Sequence, residues 1–148
     1  MSFKAKAGWA SLAVVLCLIA LFCYGLWSVE RKRVFVSDAQ RGDISKVRAG
    51  LDAGLSANTY ISGISALQMA VIGGHQNVIA LLLERGADPT DALRKAIVRN
   101  RPQIVILLIS KGANVNDRRH YTLKPLPLAK EYKRTQIVAI LKAAGATE

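Results

Sequence analysis

The chain reads as all-α: a solenoid of about four helix-turn-helix units behind an N-terminal transmembrane helix. Three observations predict this. An uncharged apolar run lies near the N-terminus. The stretch Ser65 to Asp88 carries two short helical patterns around a glycine turn. Parts of that stretch recur before and after it in a fixed frame. The boundaries drawn from these features are a tail over 1–6, a transmembrane helix over 7–29, a basic juxtamembrane segment over 30–36 and a repeat domain over 37–148.

The transmembrane helix comes first. No charged residue occurs from Ala7 to Val29, and Ala10 to Trp27 is almost wholly apolar. About 20 apolar residues are needed to span a hydrocarbon core as a helix. Trp9 sits near one end of the run and Tyr24 and Trp27 near the other, where amphipathic rings favour the interface. A cleaved export signal is the alternative, but the run is long for one and its best small-x-small choice, Cys23 to Gly25, is poor. Neither Cys17 nor Cys23 follows a small residue, as a lipid-acceptor cysteine usually does. The rest of the chain has no cysteine, so no disulfide staples the soluble part.

Orientation depends on the flanking cations. Lys4 and Lys6 precede the run, whereas Arg31, Lys32, Arg33, Arg41 and Lys46 follow it closely. Counting Lys and Arg places the C-terminal side in the cytoplasm. A short basic tail before an apolar run is also the usual form of an export signal, which leaves an extracytoplasmic array open. Arg31, Lys32 and Arg33 fall at headgroup level, where each basic residue gains about 1 kcal/mol from anionic lipid. Glu30 to Gln40 contains neither Pro nor Gly, so the membrane helix can run on into the first repeat.

The repeats follow. Four segments align from a helix to a closing glycine: Asp38 to Gly54, Ala70 to Gly86, Ala96 to Gly112 and Ala129 to Gly145. Twelve residues before each closing glycine stands a turn position: Gly42, Gly74, Asn100 and Lys133. Gly and Asn tolerate the left-handed backbone such a turn needs; Lys does so less well. The closing glycines fit helix C-caps. Outer-helix positions Val78, Ile79, Leu81, Leu82 and Leu83 in the second copy are matched by Ile104, Val105, Leu107 and Leu108 in the third. In the fourth they are Ile137, Val138, Ile140 and Leu141. One helix pair cannot bury such a face alone, so stacking must supply the core. The first copy, with Ile44, Val47 and Leu51, is thinner and more polar, as a capping unit should be.

Over roughly Ser37 to Glu148 this pattern resembles the ankyrin repeat. Ser65-Ala66-Leu67-Gln68-Met69-Ala70 fits the Thr-Pro-Leu-His-x-Ala start of that family's first helix, with substitutions. Lys124 to Ala129 keeps Pro, Leu and Ala, while Asp91 to Ala96 keeps Leu and Ala only. Gly74-His75, Leu81 to Glu84, Gly86-Ala87-Asp88 and Gly112 to Asn116 match closely. The resemblance implies helix pairs joined by hairpin fingers, and binding of another protein through finger tips and the concave face of the inner helices. Carried onto this chain, the candidates are Tyr60 and Ile61 on the first finger and Arg118, Arg119, His120 and Tyr121 on the second. Arg94, Lys95 and Arg99 lie on or near the inner helix between them.

One departure matters. The step from Gly86 to Gly112 is 26 residues, against 32 and 33 for the others. Only Ala87-Asp88-Pro89-Thr90 precedes the next helix, which is expected to start near Asp91 with Thr90 as its N-cap. The finger there is missing, so fingers are expected only around Asn58 to Gly63 and Asn114 to Leu123, with a gap between them.

The residues offer no assembled chemistry. His75 fits a structural turn position, and His120 sits in a finger. No Cys or His spacing suits a metal, and no glycine-rich phosphate loop follows a strand. Isolated histidines without a nucleophile or carboxylate pair make no active site. No catalytic residue, cofactor or metal is therefore expected. The formal net charge of +11 suits an acidic protein, anionic lipid or nucleic acid. From Ser37 onward the net is +7. Nucleic acid ranks behind a protein partner because aromatic side chains for base stacking are few and not interleaved with the cations. The resulting expectation is a membrane-anchored scaffold for another, acidic protein. The alternative is an extracytoplasmic inhibitor or immunity-like binding factor.

Overall fold

The computed structural model describes residues 3–118 and 122–148, with side chains from residue 14 onward. The elements in order are α1 (Phe3–Arg41), α2 (Ile44–Asp52), β1 (Tyr60–Ile61), β2 (Ile64–Ser65), α3 (Ala66–Gly73) and α4 (Gln76–Glu84). They continue with α5 (Thr90–Val98), α6 (Pro102–Ser110), α7 (Pro125–Glu131) and α8 (Thr135–Ala143). Contacts divide the chain into two units, one ending at Val34 and one covering Phe35–Glu148.

The first unit is helix alone. Within α1 the stretch Val14–Arg41 includes a window long and apolar enough to cross a membrane. None of that window is buried, and Leu21 and Phe22 are 67% and 68% exposed. A soluble core helix of this composition would hide such surface; this one leaves it bare. The helix continues without a break to Arg41.

The second unit is a stack of helix pairs. The C-terminal end of α1 with α2, α3 with α4, α5 with α6 and α7 with α8 form the four copies. Inner helices pack on inner helices, α3 on α5 and α5 on α7. Outer helices pack likewise, α2 on α4 and α6 on α8. Leu67, Ile79, Leu82, Leu93, Ile97, Leu108, Ile137 and Leu141 are fully buried along one continuous core. Every copy contributes, so the apolar face of each pair is covered by its neighbours.

Backbone chemistry sets the frame. The turn residues Gly42, Gly74, Asn100 and Lys133 have φ of 80°, 79°, 53° and 54°, all left-handed as expected. Lys133 adopts this conformation despite its Cβ, which costs about 1–2 kcal/mol. Ser65 caps α3 in a capping box. Its Oγ accepts from the Gln68 amide at 3.1 Å, and Gln68 Oε1 accepts from the Ser65 amide at 3.0 Å. Asp43 caps α2 by accepting from the Lys46 amide at 3.1 Å. The hydrogen bond from the Lys46 side chain holds the Asp43 carboxyl below its ordinary pKa and the lysine above its own.

Phe35 and Val36 are 3% and 5% exposed in the array. Room for Phe35 comes from Gly50, where a Cβ would meet the Phe35 ring at 2.7 Å. Thr90 is not the N-cap of α5 but its first residue. Asp88 Oδ1 accepts from the Thr90 amide at 2.8 Å and turns the chain into the helix.

The core predicts its own weak point. Leu82 is fully buried between copies. Leu82→Ala should cost about 2–5 kcal/mol through transfer and cavity terms. Leu82→Asp adds a buried unpaired charge and should abolish folding of the array. Circular-dichroism melting of the full chain checks this; an unchanged cooperative melt of Leu82→Asp would refute the stacked core.

Candidate interaction surface

The array has two edges. At one, linkers join each outer helix to the next inner helix. At the other, tight turns join inner helix to outer helix. The first finger belongs to the linker edge. It is a hairpin in which Tyr60 pairs with Ser65 and Ile61 with Ile64. Ser62 and Gly63 have φ of 51° and 76°, the left-handed pair of a two-residue type I′ turn. Among the described residues this is the only strand pair.

Across the fingerless linker the first finger meets α5 directly. The exposed Tyr60 hydroxyl donates to Asp91 Oδ2 at 3.1 Å. Asp91 lies in the first turn of α5, where a carboxylate is favoured by the helix dipole. Arg94 and Lys95 follow at i+3 and i+4, on the same side of the helix, and both are half-buried. The Arg94 guanidinium donates to the Leu123 carbonyl, tying α5 to the segment before α7. Ile61 is partly buried and packs against the core. Tyr60, Asp91, Arg94 and Lys95 thus form one contiguous ridge.

Arg99 does not join them. It caps the far end of α5, about 12 Å from Asp91 at 1.5 Å per residue, and belongs to the turn edge. Arg118 is exposed. Arg119, His120 and Tyr121 lie outside the described residues. In the first unit the Tyr24 and Trp27 ring centroids are 6.2 Å apart, and the Arg31 guanidinium lies 4.7 Å from the Trp27 centroid. Their i, i+3, i+7 spacing puts all three on one helix face. Lys32 and Arg33 are exposed, and Arg33 lies 3.9 Å from Glu30.

Side chains that sequence reasoning missed hold the linker edge together. Four residues beyond successive closing glycines stand Asn58, Thr90 and Asn116. Asn58 Oδ1 accepts from the Asp88 amide at 2.8 Å, and its Nδ2 donates to the Gly86 carbonyl at 2.9 Å. Asn116 repeats both bonds two linkers later, to the Thr147 amide at 2.7 Å and the Gly145 carbonyl at 3.1 Å. Between them Thr90 Oγ1 accepts from the Asn114 amide at 3.3 Å. Each linker therefore grips the next in one register, including the linker that has no finger. The constant offset from the closing glycines was the available signal.

The turn edge has a parallel device. His75 Nε2 lies 2.9 Å from the Gln40 carbonyl, which requires the proton on Nε2. Gly42 and Gly73 leave room for this ring, since a Cβ at either would clash with it. His75 therefore has the structural turn role expected of it. Arg134 Nη2 donates to the Val98 carbonyl at 3.1 Å, the corresponding position two copies later. An open hollow of about 360 Å³ in front of α4 has His75 as its single titratable side chain, so it presents no acid–base pair. Among the described residues no group of three or more His, Cys, Asp or Glu could hold a metal ion.

A family model described as ankyrin repeats, in three copies, matches residues 38–119, more than half of the chain. The fourth helix pair, α7 with α8, lies beyond the matched residues yet follows the same frame. No curated protein matches the chain.

The linker ladder makes a quantitative prediction. Asn58→Ala and Asn116→Ala each remove two hydrogen bonds between linkers and should lower stability by about 1–3 kcal/mol. Thr90→Val removes one and should cost about 0.5–1.5 kcal/mol. Urea unfolding midpoints of the full-length variants measure these differences; a loss at Thr90 larger than at Asn58 would contradict the register.

Proposed function

This chain belongs to the ankyrin repeat family, and we propose that it is a membrane-anchored scaffold whose linker edge binds another protein. Ankyrin repeats imply protein–protein interaction, and the family is typically a non-enzymatic interaction module. The observation that carries the finer reading is the ridge in the fingerless gap. Tyr60, Arg94 and Lys95 come together there from two copies, and Tyr and Arg are the types that most often carry interface energy. Lys95 and Arg118 leave positive charge on this edge for an acidic partner. Arg119, His120 and Tyr121 on the second finger extend the proposed surface by sequence.

Anchoring rests on the exposed apolar length of α1. The Tyr24, Trp27 and Arg31 face suits the membrane–water interface, with Trp9 marking the other end and Lys32 and Arg33 the headgroup level. The excess of Lys and Arg after the apolar stretch favours a cytoplasmic array. An array outside the membrane, acting as an inhibitor or immunity-like factor, is supported by the short basic tail carrying Lys4 and Lys6. The partner, in this reading, is a membrane or membrane-proximal protein that the array binds or regulates.

The test pairs a topology reporter after Glu148 with photocrosslinkers at Tyr60 and Lys95 in cells. A reporter active in the cytoplasm, and one protein captured from both positions but not from Ile106 on the outer helix, are expected. Tyr60→Ala should weaken that purified partner's binding by more than 1 kcal/mol. Equal capture from Ile106, or unchanged affinity, would refute the linker-edge assignment.

A further inference from the structure

The turn edge carries a surface that the finger-based reading does not use. In the third and fourth copies the turns read Arg99-Asn100-Arg101 and Tyr132-Lys133-Arg134. Four cations therefore occupy two successive turns, and the nearest acid in sequence is Glu131. Arg99, Arg101 and Lys133 are exposed and make no ion pair among the described residues. The contrast with the first turn is clear: Arg41 there faces Asp38 at 3.7 Å, and Lys46 pairs with Asp43 at 2.9 Å.

The two turns are physically contiguous. Arg134 reaches back to the Val98 carbonyl, beside Arg99. Arg101 in turn lies over the second turn, its guanidinium 3.3 Å from where a Gly74 Cβ would stand. The cations thus follow one another along the edge as the copies stack. Tyr132, 43% exposed, adds an aromatic contact in the same row. One backbone detail points the same way. Lys133 holds a left-handed conformation that glycine supplies without strain in the first two copies. A strained lysine, displayed beside Arg134, is costly unless its side chain has a use.

We infer that this basic edge docks an extended acidic polypeptide segment of the array's partner, with carboxylates spaced to match the copies. Neighbouring helices pack about 8–10 Å apart, and a segment in the extended polyproline II form rises about 3.1 Å per residue with three residues per turn, so every third side chain shares a face. An acidic residue at every third position therefore falls in register with successive turns. Arginine offers a planar fork for bidentate carboxylate pairing, and Lys133 a point charge. A single row of cations with one aromatic side chain suits a peptide better than stacked bases, which need several aromatic platforms. The inference rests on the protein-binding reading above, but it uses the opposite edge of the array.

The experiment measures binding of fluorescent peptides to the full chain in zwitterionic detergent by anisotropy at physiological salt. One twelve-residue Gly/Ser peptide carries glutamate at every third position; a second has the same composition with its glutamates contiguous. The periodic peptide should bind at least fivefold tighter. Arg101→Gln combined with Lys133→Gln should weaken it at least tenfold, while Lys111→Gln, at the exposed C-terminal end of α6, stays within twofold. Lys133→Gly gives a separate readout: its melting temperature should rise as backbone strain is relieved, while peptide binding falls. Equal binding of both peptides, or unchanged binding by the turn variants, overturns the inference. So does tighter binding of a DNA duplex of equal charge, or of phosphatidylglycerol vesicles, lost through the same variants. If turn variants bind peptide normally while Tyr60 and Lys95 still capture their partner, only the turn-edge surface fails.

Discussion

A side chain four residues beyond each of the first three closing glycines, bonded to the backbone that follows the next closing glycine, holds the copies of this array in register. Asn58, Thr90 and Asn116 perform this role in sequence, each satisfying an amide that would otherwise face only water or a neighbour's surface. The apolar core supplies most of the free energy, because no helix pair can cover its own face. Apolar contact alone tolerates sliding, however, whereas a hydrogen bond to one named amide does not. At the opposite edge His75 and Arg134 reach back to carbonyls of preceding copies and fix the same register from the other side.

This double attachment explains how the array loses a finger without breaking. The shortened linker between Gly86 and α5 keeps its bonding position at Thr90, while the hairpin that the first linker inserts is absent. Absence of the hairpin opens α5, and Tyr60 from the preceding finger leans into the space to reach Asp91. The same shortening brings Arg94 and Lys95 to a surface that a second hairpin would have flanked. The two ends of α5 have different neighbours: its N-terminal end joins the first finger, and Arg99 at its C-terminal end joins the basic turns.

The helix pairs were legible because period and punctuation agree. Glycine and asparagine marked the turns at fixed distance from closing glycines, and even Lys133 obeyed the frame against its own preference. Tertiary bonding was less legible. Thr90 looks like an N-cap by residue type, but its hydroxyl is drawn to the Asn114 amide while Asp88 bonds the Thr90 amide. Phe35 is buried where Gly50 leaves room for its ring, a contact that no local pattern marks. Arg94 and Arg99 look alike in sequence, yet mid-helix and C-terminal positions on α5 give them different neighbours. Such outcomes depend on which copy lies alongside, and a local pattern does not encode that.

Native-state hydrogen exchange at the Asp88 and Asn114 amides tests the linker register most directly. Both sit in loops, where free amides exchange quickly, but both donate to side chains of the preceding linker. Protection approaching that of core amides in α4 and α6, lost selectively at Asp88 in Asn58→Ala and at Asn114 in Thr90→Val, is the predicted result. Loop-like exchange of the Asn114 amide in the unaltered chain would contradict it, because the fingerless linker would then be a break in the array.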